Sequence, residues 1–453
     1  MMKIGNYDFK EVEQNSQDFW KSQSIYAKAK AQNKDGKVFY FLDGPPYTSG
    51  RVHLGTALNK SLKDTFLRYK RMQGFKVWDR AGYDMHGLPT EHAVEKKFGM
   101  HGKEDILKMG MESFVRECEK LSVGNMLLMN EDFGKLGVWM DFENAYQSIK
   151  PSFIEGVWWV VKKAHEQKRL YEGLRTMHWC ASCATAVAKH ELEYKEVTDN
   201  SIFVKLQLKG KPDSFLIVWT TTPWTIPFNL AVMVNPELEY VKCKVDNEHW
   251  YVSKALAGAF VQGVVGKKLV VEEEFLGDKM EGMEYVHPFE KEITEYSTIK
   301  AQSSKTHTVL LSTEYVDTSA GTGLVHCAPG CGPEDYEVGV RNKIPPYNNI
   351  DEKGAFPPNM GEFTGLVARK DDKKFIEALK KRGAIIDVVP VEHEYAHCWR
   401  CHNPVVFRTT TQWFFKIEDL KDKLIEANKK INWVNGAGAS AMDGWLRNLR
   451  DNS

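Results

Sequence analysis

Two Cys-x-x-Cys pairs, Cys180/Cys183 and Cys398/Cys401, constrain this chain more than any other feature of its 453 residues. Each pair can place two thiolates on one turn, and two such knuckles complete a tetrahedral four-sulfur site for a structural zinc. Yet 214 residues lie between Cys183 and Cys398, far more than an ordinary zinc ribbon contains. A domain inserted between the two halves of a ribbon, with the metal clamping its entrance and exit, accounts for the gap. Reduced thiols recurring at one spacing by chance are the plainer alternative, against which the contexts HWCASC and HCWRC are alike. A redox role is disfavoured because neither pair opens a helix of a thioredoxin-like unit. A catalytic metal is disfavoured because four sulfurs leave no open position.

The sequence on the two sides of Cys183 differs in kind. From about Asn200 to Val389, short β runs (SIFVKLQL, SFLIVWTT, LAVMV, EYVKCKV, HWYVS) alternate with Gly, Pro and Asn turns, the pattern of a compact β-rich module. Earlier, residues 8–32 predict one amphipathic helix with Phe9, Val12, Phe19, Trp20 and Ile25 on its apolar face. Val38–Leu42 is a short apolar run suited to a buried parallel strand, ended by Gly44-Pro45-Pro46. Beyond the glycine turn, Leu54, Leu58, Leu62, Phe66, Tyr69 and Met72 form a helical stripe, with Lys60, Lys63, Arg68, Lys70 and Arg71 on the other faces. A second strand is expected near Phe75–Asp79, and residues 105–170 read as mainly helical. Strand, glycine turn and helix together open a nucleotide-binding α/β fold, whose ligands sit beyond the carboxyl ends of the strands.

Charge and hydropathy exclude other classes. Lys plus Arg and Asp plus Glu both number 61, so any polyanion must be held by local patches rather than by a global field. No apolar run approaches the roughly 18 residues of a membrane span, and the polar start MMKIGNYDFKEVEQ lacks the core of a signal peptide. No membrane partner and a cytoplasmic location are therefore expected.

In GPPYTSGRVHLGT, Gly44, Gly50 and Gly55 let backbone approach a ligand, and His53 stands at the start of the following helix, whose amides favour phosphate. An imidazole there can donate to a phosphate and stabilise charge developing during attack on it. Taken alone, a histidine that merely caps its helix is an equal reading. The stretch resembles the HIGH signature of class I aminoacyl-tRNA synthetases, with Thr56 in place of the last histidine. GYDMHGLPTE is similar to the GWDxHGLPxE segment of the isoleucyl family. WTTTPWTIPFN, GTGLVHCAPGCGPEDYEVG and HCWRCHNPVVFRTTTQWFFKI are also isoleucyl-like and follow in that family's order.

The resemblance implies an α/β fold: the first half of a Rossmann-type parallel sheet over 1–178, a knuckle at 179–198, a β-rich editing domain at 199–389, a second knuckle at 390–410, and a return into the catalytic domain over 411–453. It implies activation of isoleucine with ATP and magnesium, transfer to tRNA(Ile), and a monomer. His53, Gly55 and Thr56 take the signature's catalytic places. Asp84 matches the carboxylate that holds the substrate ammonium, and Pro46 and Tyr47 the segment lining the side-chain pocket. Trp413 either approaches that pocket or is a core aromatic. Binding alone separates isoleucine from valine poorly, since one methylene is worth only about 1–3 kcal/mol, and isoleucyl enzymes are the standard illustration of that limit.

A second, hydrolytic site is therefore implied in the insertion. Thr220, Thr221 and Thr222 would supply hydroxyls and bulk, Trp224 and Asn229 continue the motif, Asp335 would anchor the ammonium of the misacylated residue, and His326 lies opposite. Without the family, a Thr-rich strand reflects β propensity alone. Cys331 departs from the family's APGHGPxD, which has histidine there. The family's ISRQRYWG and KMSKS regions have no counterpart in the chain, which ends WLRNLRDNS; an N-terminal portion with little pyrophosphate exchange is expected. A free-standing aminoacyl-tRNA deacylase, or a noncatalytic tRNA-binding module stapled by zinc, are the competing readings. The first predicts a decayed nucleotide site and the second no need for the Thr/Asn/His/Asp set.

Overall fold

The computed structural model describes residues 7–100 and 102–451, with only the backbone of residue 190. The chain is a mixed α/β protein that divides at Lys168/Arg169 into two compact units. No helix among the described residues is long and apolar enough to cross a membrane.

In the first unit, α1 (Phe9–Ser22) and α2 (Ile25–Gln32) replace the single helix expected over 8–32. Asp8 caps α1 by accepting from Lys10 N, and Ser24 between the two helices takes a left-handed conformation (φ 51°) that ends the regular turn. Phe9, Val12 and Phe19 are exposed rather than buried, and Trp20 stands edge-on to Trp139 with ring centres 5.3 Å apart. Strand β1 (Val38–Tyr40) is followed by α3 (Leu54–Met72) and by β2 (Lys76–Trp78), which pairs with β1 in parallel. This is the strand–turn–helix unit the glycine turn predicts. Burial of β1 is not met, because its sheet has two strands: Val38 is 59% and Tyr40 64% exposed.

Helix α3 inverts the expectation. Its apolar stripe faces outward, with Leu54 89% and Met72 85% exposed, while Lys60, Asp64, Leu67 and Arg71 are buried. Periodicity shows that a helix has two faces but not which of them meets the core. The buried charges are tolerated because each is paired. Lys60 bonds to Asp43, Arg68 and the Trp139 amide bond to Asp64, and Arg71 bonds to Asp79. Strand β3 (Arg80–Tyr83) pairs in parallel with β4 (Asp141–Gln147), a strand inside the stretch read as helical. Its sequence, DFENAYQ, has too little apolar alternation to announce itself. Helices α4 (Met111–Lys135) and α5 (Pro151–Glu166) fill most of the rest, and Leu67, Val77, Ala81, Tyr83, Met126, Met129 and Phe133 share one core.

The second unit opens with β5 (Leu170–Cys180), β6 (Thr185–Ala186), β7 (Leu192–Leu208), β8 (Ser214–Thr220), β9 (Ala231–Val234), β10 (Glu239–Val245) and β11 (Glu248–Ser253). It continues through β12 (Val270–Leu276), β13 (Tyr285–Val286), β14 (Thr308–Leu311), β15 (Val325–Cys327), β16 (Ile385–Cys398) and β17 (Val406–Phe415). Two antiparallel ribbons carry the cysteines. One pairs β5 with β17, and the other pairs β16 with β7 from Val204 down to Leu192, opposite Cys398. The second ribbon runs into a ten-stranded sheet of order β12-β10-β11-β8-β15-β9-β14, with β7 beside β8 and also paired to β13 and β16. Within it β8 and β15 are parallel neighbours, joined at Trp219 and Val325. Their carboxyl ends therefore open at the same place.

Candidate functional site

In the first unit the chain turns at GPPY and enters α3 through His53. His53 caps that helix: Nδ1 accepts from the amides of Gly55 at 3.1 Å and Thr56 at 3.4 Å. With Nδ1 an acceptor, the ring's proton sits on Nε2, 3.0 Å from Thr56 Oγ1. A side chain at Gly55 would start 3.1 Å from the His53 ring, so glycine keeps room for this cap. Capping and ligand binding are thus not exclusive, because the Nε2–H edge stays on the exposed side of the helix start. Backbone pairing brings the substrate candidates together. Asp84 N donates to Pro46 O at 3.0 Å, Thr48 N donates to Asp84 O at 3.2 Å, and Tyr47 bridges Asp84.

At the junction of the two ribbons in the second unit, the sulfurs of Cys180, Cys183, Cys398 and Cys401 all lie within 4.8 Å of one another. Ala184 and His402, each following the second cysteine of its knuckle, both have positive φ (50° and 58°), the tight return a metal knuckle makes. Four thiolates this close repel unless a cation sits among them, so the cluster can hold a metal ion.

At the carboxyl ends of β8 and β15 a cavity of about 350 Å³ is lined by Trp219, Thr220, Thr221, Thr222, Thr225, His326, Cys331 and Asp335, with the 315–325 loop as its rim. That rim needs its glycines: Gly321 and Gly323 have φ of 76° and 74°, and a Cβ on Gly323 would collide with Ser253. The threonines are linked. Thr222 N donates to Thr220 Oγ1 at 3.1 Å, and Thr225 Oγ1 donates to Thr222 O at 2.8 Å. His326 is buried, and burial holds its imidazole neutral, with the pKa lowered to about 4. Asp335 lies in the first turn of the helix Pro333–Asn342 and accepts from the Ala328 amide at 3.2 Å. Burial nevertheless pushes its carboxyl up to about 7, and no cation pairs with it among the described residues.

A family model for class I tRNA synthetases (I, L, M and V) matches residues 15–453. The chain belongs to this family. The isoleucine–tRNA ligase of Pyrococcus abyssi is 44% identical to it over 94% of this chain and 40% of the relative. The Pyrococcus furiosus enzyme of the same name is 44% identical over 93% and 40%, and that of Methanocaldococcus jannaschii 41% over 96% and 42%. The chain thus spans about two fifths of the length of these curated relatives.

Within this synthetase chain, the residues singled out from sequence fall into distinct places. Thr220, Thr221, Thr222, His326 and Asp335 share the cavity wall. Trp224 and Asn229 do not line it. Trp224 is 1% exposed in the core beside Phe228, and Asn229 stands behind His326, with its Nδ2 2.8 Å from the ring's Nδ1. The reason is the 3₁₀ turn Pro223–Phe228, which folds the end of the motif inward. Trp413 is exposed on β17 opposite Glu172, in the second unit, and so is no core aromatic. Thr225 also lines the cavity, a position within WTTTPWTIPFN that the sequence pattern does not single out.

Proposed function

We propose that the chain carries the first half of the Rossmann-type activating site and the hydrolytic proofreading site of an isoleucine–tRNA ligase. The observation that supports it best is Asp335, a half-buried carboxyl group in the cavity wall with no countercharge beside it among the described residues. The α-ammonium of an aminoacyl ester is a cation of the right kind to meet it. The substrate is then valine misattached to the 3′ end of tRNA(Ile). Water adds to the ester carbonyl, the tRNA hydroxyl leaves, and free valine is released. Asp335 holds the ammonium and so orients the carbonyl, while the Thr220–Thr222 wall limits the side chain admitted. His326 is not the base, because its Nε2–H is committed to Thr225 and its Nδ1 to Asn229. Thr222→Ala should enlarge the cavity and let Ile-tRNA(Ile) be cleaved as well as Val-tRNA(Ile). Single-turnover deacylation of both esters measures it, and unchanged rejection of the isoleucyl ester would remove Thr222 from the wall.

On the same reading, ATP with magnesium would meet the start of α3, where the Nε2–H of His53 and the Thr56 hydroxyl are 3.0 Å apart and can address phosphate. Isoleucine would lie by Asp84, Pro46 and Tyr47.

The metal of the four-thiol cluster is proposed to be zinc. A tetrahedral zinc with bonds of about 2.3 Å sets sulfurs roughly 3.8 Å apart, and the cluster's spread, all within 4.8 Å, admits that. It would tie the two ribbons where the β-rich module leaves and rejoins the chain. One zinc per chain is expected by elemental analysis of protein purified without chelator. Cys180→Ser should release it and make β7 and β16 more open to protease. Metal-free intact protein would overturn this assignment.

A further inference from the structure

The turn that continues the threonine wall is held from behind by three side chains that do not line the cavity. Every residue of the 3₁₀ turn Pro223–Phe228 is buried, and the chain runs on through buried Asn229 and Leu230 into β9. Buried carbonyl groups need donors from elsewhere in the protein, and Pro223 and Pro227 have no N–H to offer. The donors come from three separate segments. His287 Nε2 lies 3.0 Å from Ile226 O, the Tyr296 hydroxyl 2.7 Å from Pro227 O, and His307 Nε2 3.2 Å from Asn229 O. A carbonyl oxygen can only accept, so each of these groups is the donor. His287 Nδ1 accepts from the Phe289 amide at 3.1 Å, which leaves the neutral ring's one hydrogen on Nε2. Burial holds both imidazoles neutral by lowering their pKa. The three rings also pack on one another, with centres 4.8 or 5.1 Å apart, and each residue is 1% exposed.

We propose that His287, Tyr296 and His307 are positioning residues for the hydrolytic site: a three-donor clamp on the carbonyls of Ile226, Pro227 and Asn229 that fixes where the turn holds Thr222 and Thr225 in the cavity wall. The turn starts at Thr222, and Thr225 within it donates its amide to Thr222 O at 3.0 Å, so a shift of the turn moves both residues. From the cavity side, His326 meets only the Thr225 hydroxyl of this turn, whereas the clamp holds backbone at three positions. Phenylalanine would fill the space of Tyr296 but leave Pro227 O without its donor. The proposal rests on the cavity being the hydrolytic site, but the clamp itself can be read from backbone exchange.

The test compares single-turnover cleavage of Val-tRNA(Ile) and Ile-tRNA(Ile) by the full chain and its variants. The ratio of the two rates does not depend on the folded fraction, so a merely structural loss leaves it unmoved. Tyr296→Phe should lower that ratio about tenfold, because a slightly displaced wall both misplaces the valyl ester and admits the isoleucyl one. His287→Gln and His287→Leu both lose the bond to the Phe289 amide, but only glutamine keeps a hydrogen for Ile226 O. The ratio should fall with leucine and return close to wild type with glutamine. Leu206→Ala, a truncation on β7 in the same core, should lower the melting temperature and leave the ratio unchanged. A wild-type ratio in Tyr296→Phe would overturn the proposal, as would equal falls in the two His287 variants or an equal fall in Leu206→Ala. If wild type cleaves neither ester, the hydrolytic reading falls, and hydrogen exchange at residues 224–229 decides the clamp alone. It should be faster in Tyr296→Phe and His287→Leu than in wild type and His287→Gln, and equal exchange in all four would dismiss the clamp.

Discussion

Asp335→Ala should lower the hydrolysis of Val-tRNA(Ile) by about two orders of magnitude, with metal content unchanged. The benefit of the carboxylate is positional: it holds the ammonium so that the ester carbonyl meets water in one geometry, and lost orientation costs on that scale. A pH signature accompanies it. The Asp335 carboxyl is pushed up to about 7 by burial, so near pH 6 most of it is protonated and cannot pair with an ammonium. The kcat/KM of wild type, which reports the free enzyme, should therefore rise between pH 6 and 8 with a limb that Asp335→Ala lacks. Stability moves the opposite way. A carboxyl whose folded pKa lies above the ordinary value of about 3.9 favours the folded state only while protonated. Its cost grows as pH rises from about 4 to about 7. Asp335→Asn should consequently unfold at a higher temperature than wild type at pH 8 and at a similar one at pH 4. A variant that clears the valyl ester at the wild-type rate would show that the ammonium is held elsewhere.

Much of this site could be read in the sequence because its chemistry lies in short segments. Two CxxC knuckles announce a four-sulfur cluster whatever separates them, and the fold closes 214 residues of chain to bring the sulfurs within 4.8 Å. Thr220–Thr222 come from one motif and His326 and Asp335 from a second, and the parallel pairing of β8 with β15 joins the two. What stayed hidden depends on facing and depth. The Leu54–Met72 stripe predicts a helix correctly, yet its polar face is the buried one, because Asp43, Asp79 and the Trp139 amide supply partners that no periodicity reveals. Trp224 and Asn229 belong to the same motif as the threonines, but the 3₁₀ turn at Pro223–Phe228 rotates them behind the wall.

The largest stability effect is expected from Asp43→Ala. Asp43 and Lys60 are both 1% exposed, and Lys60 Nζ lies 2.5 Å from one carboxylate oxygen while Lys63 Nζ lies 2.7 Å from the other. Lys63 also donates to Gly44 O at 3.0 Å, and Tyr146 donates to the Asp43 carbonyl, so this carboxylate anchors the start of the GPPY turn as well. Removing it leaves the Lys60 ammonium buried without a partner, a loss of about 3–5 kcal/mol for a broken buried pair. Hydrogen exchange read by mass spectrometry should show the amides of α3 and β2 opening far more readily, while those of the ten-stranded sheet keep their protection. Burial already lowers the pKa of Lys60, and the two influences that raise it both come from Asp43. In the variant the amine should titrate lower still, and a folded pKa below the unfolded one means that stability returns as pH rises and the amine sheds its proton. The deficit should thus be widest near neutral pH and narrow toward pH 10. Replacing both partners, Asp43→Leu with Lys60→Met, should recover most of the loss, because it is the unpaired charge and not the missing attraction that destabilises. Equal deficits for the single and double variants at every pH would instead assign the damage to the loosened turn.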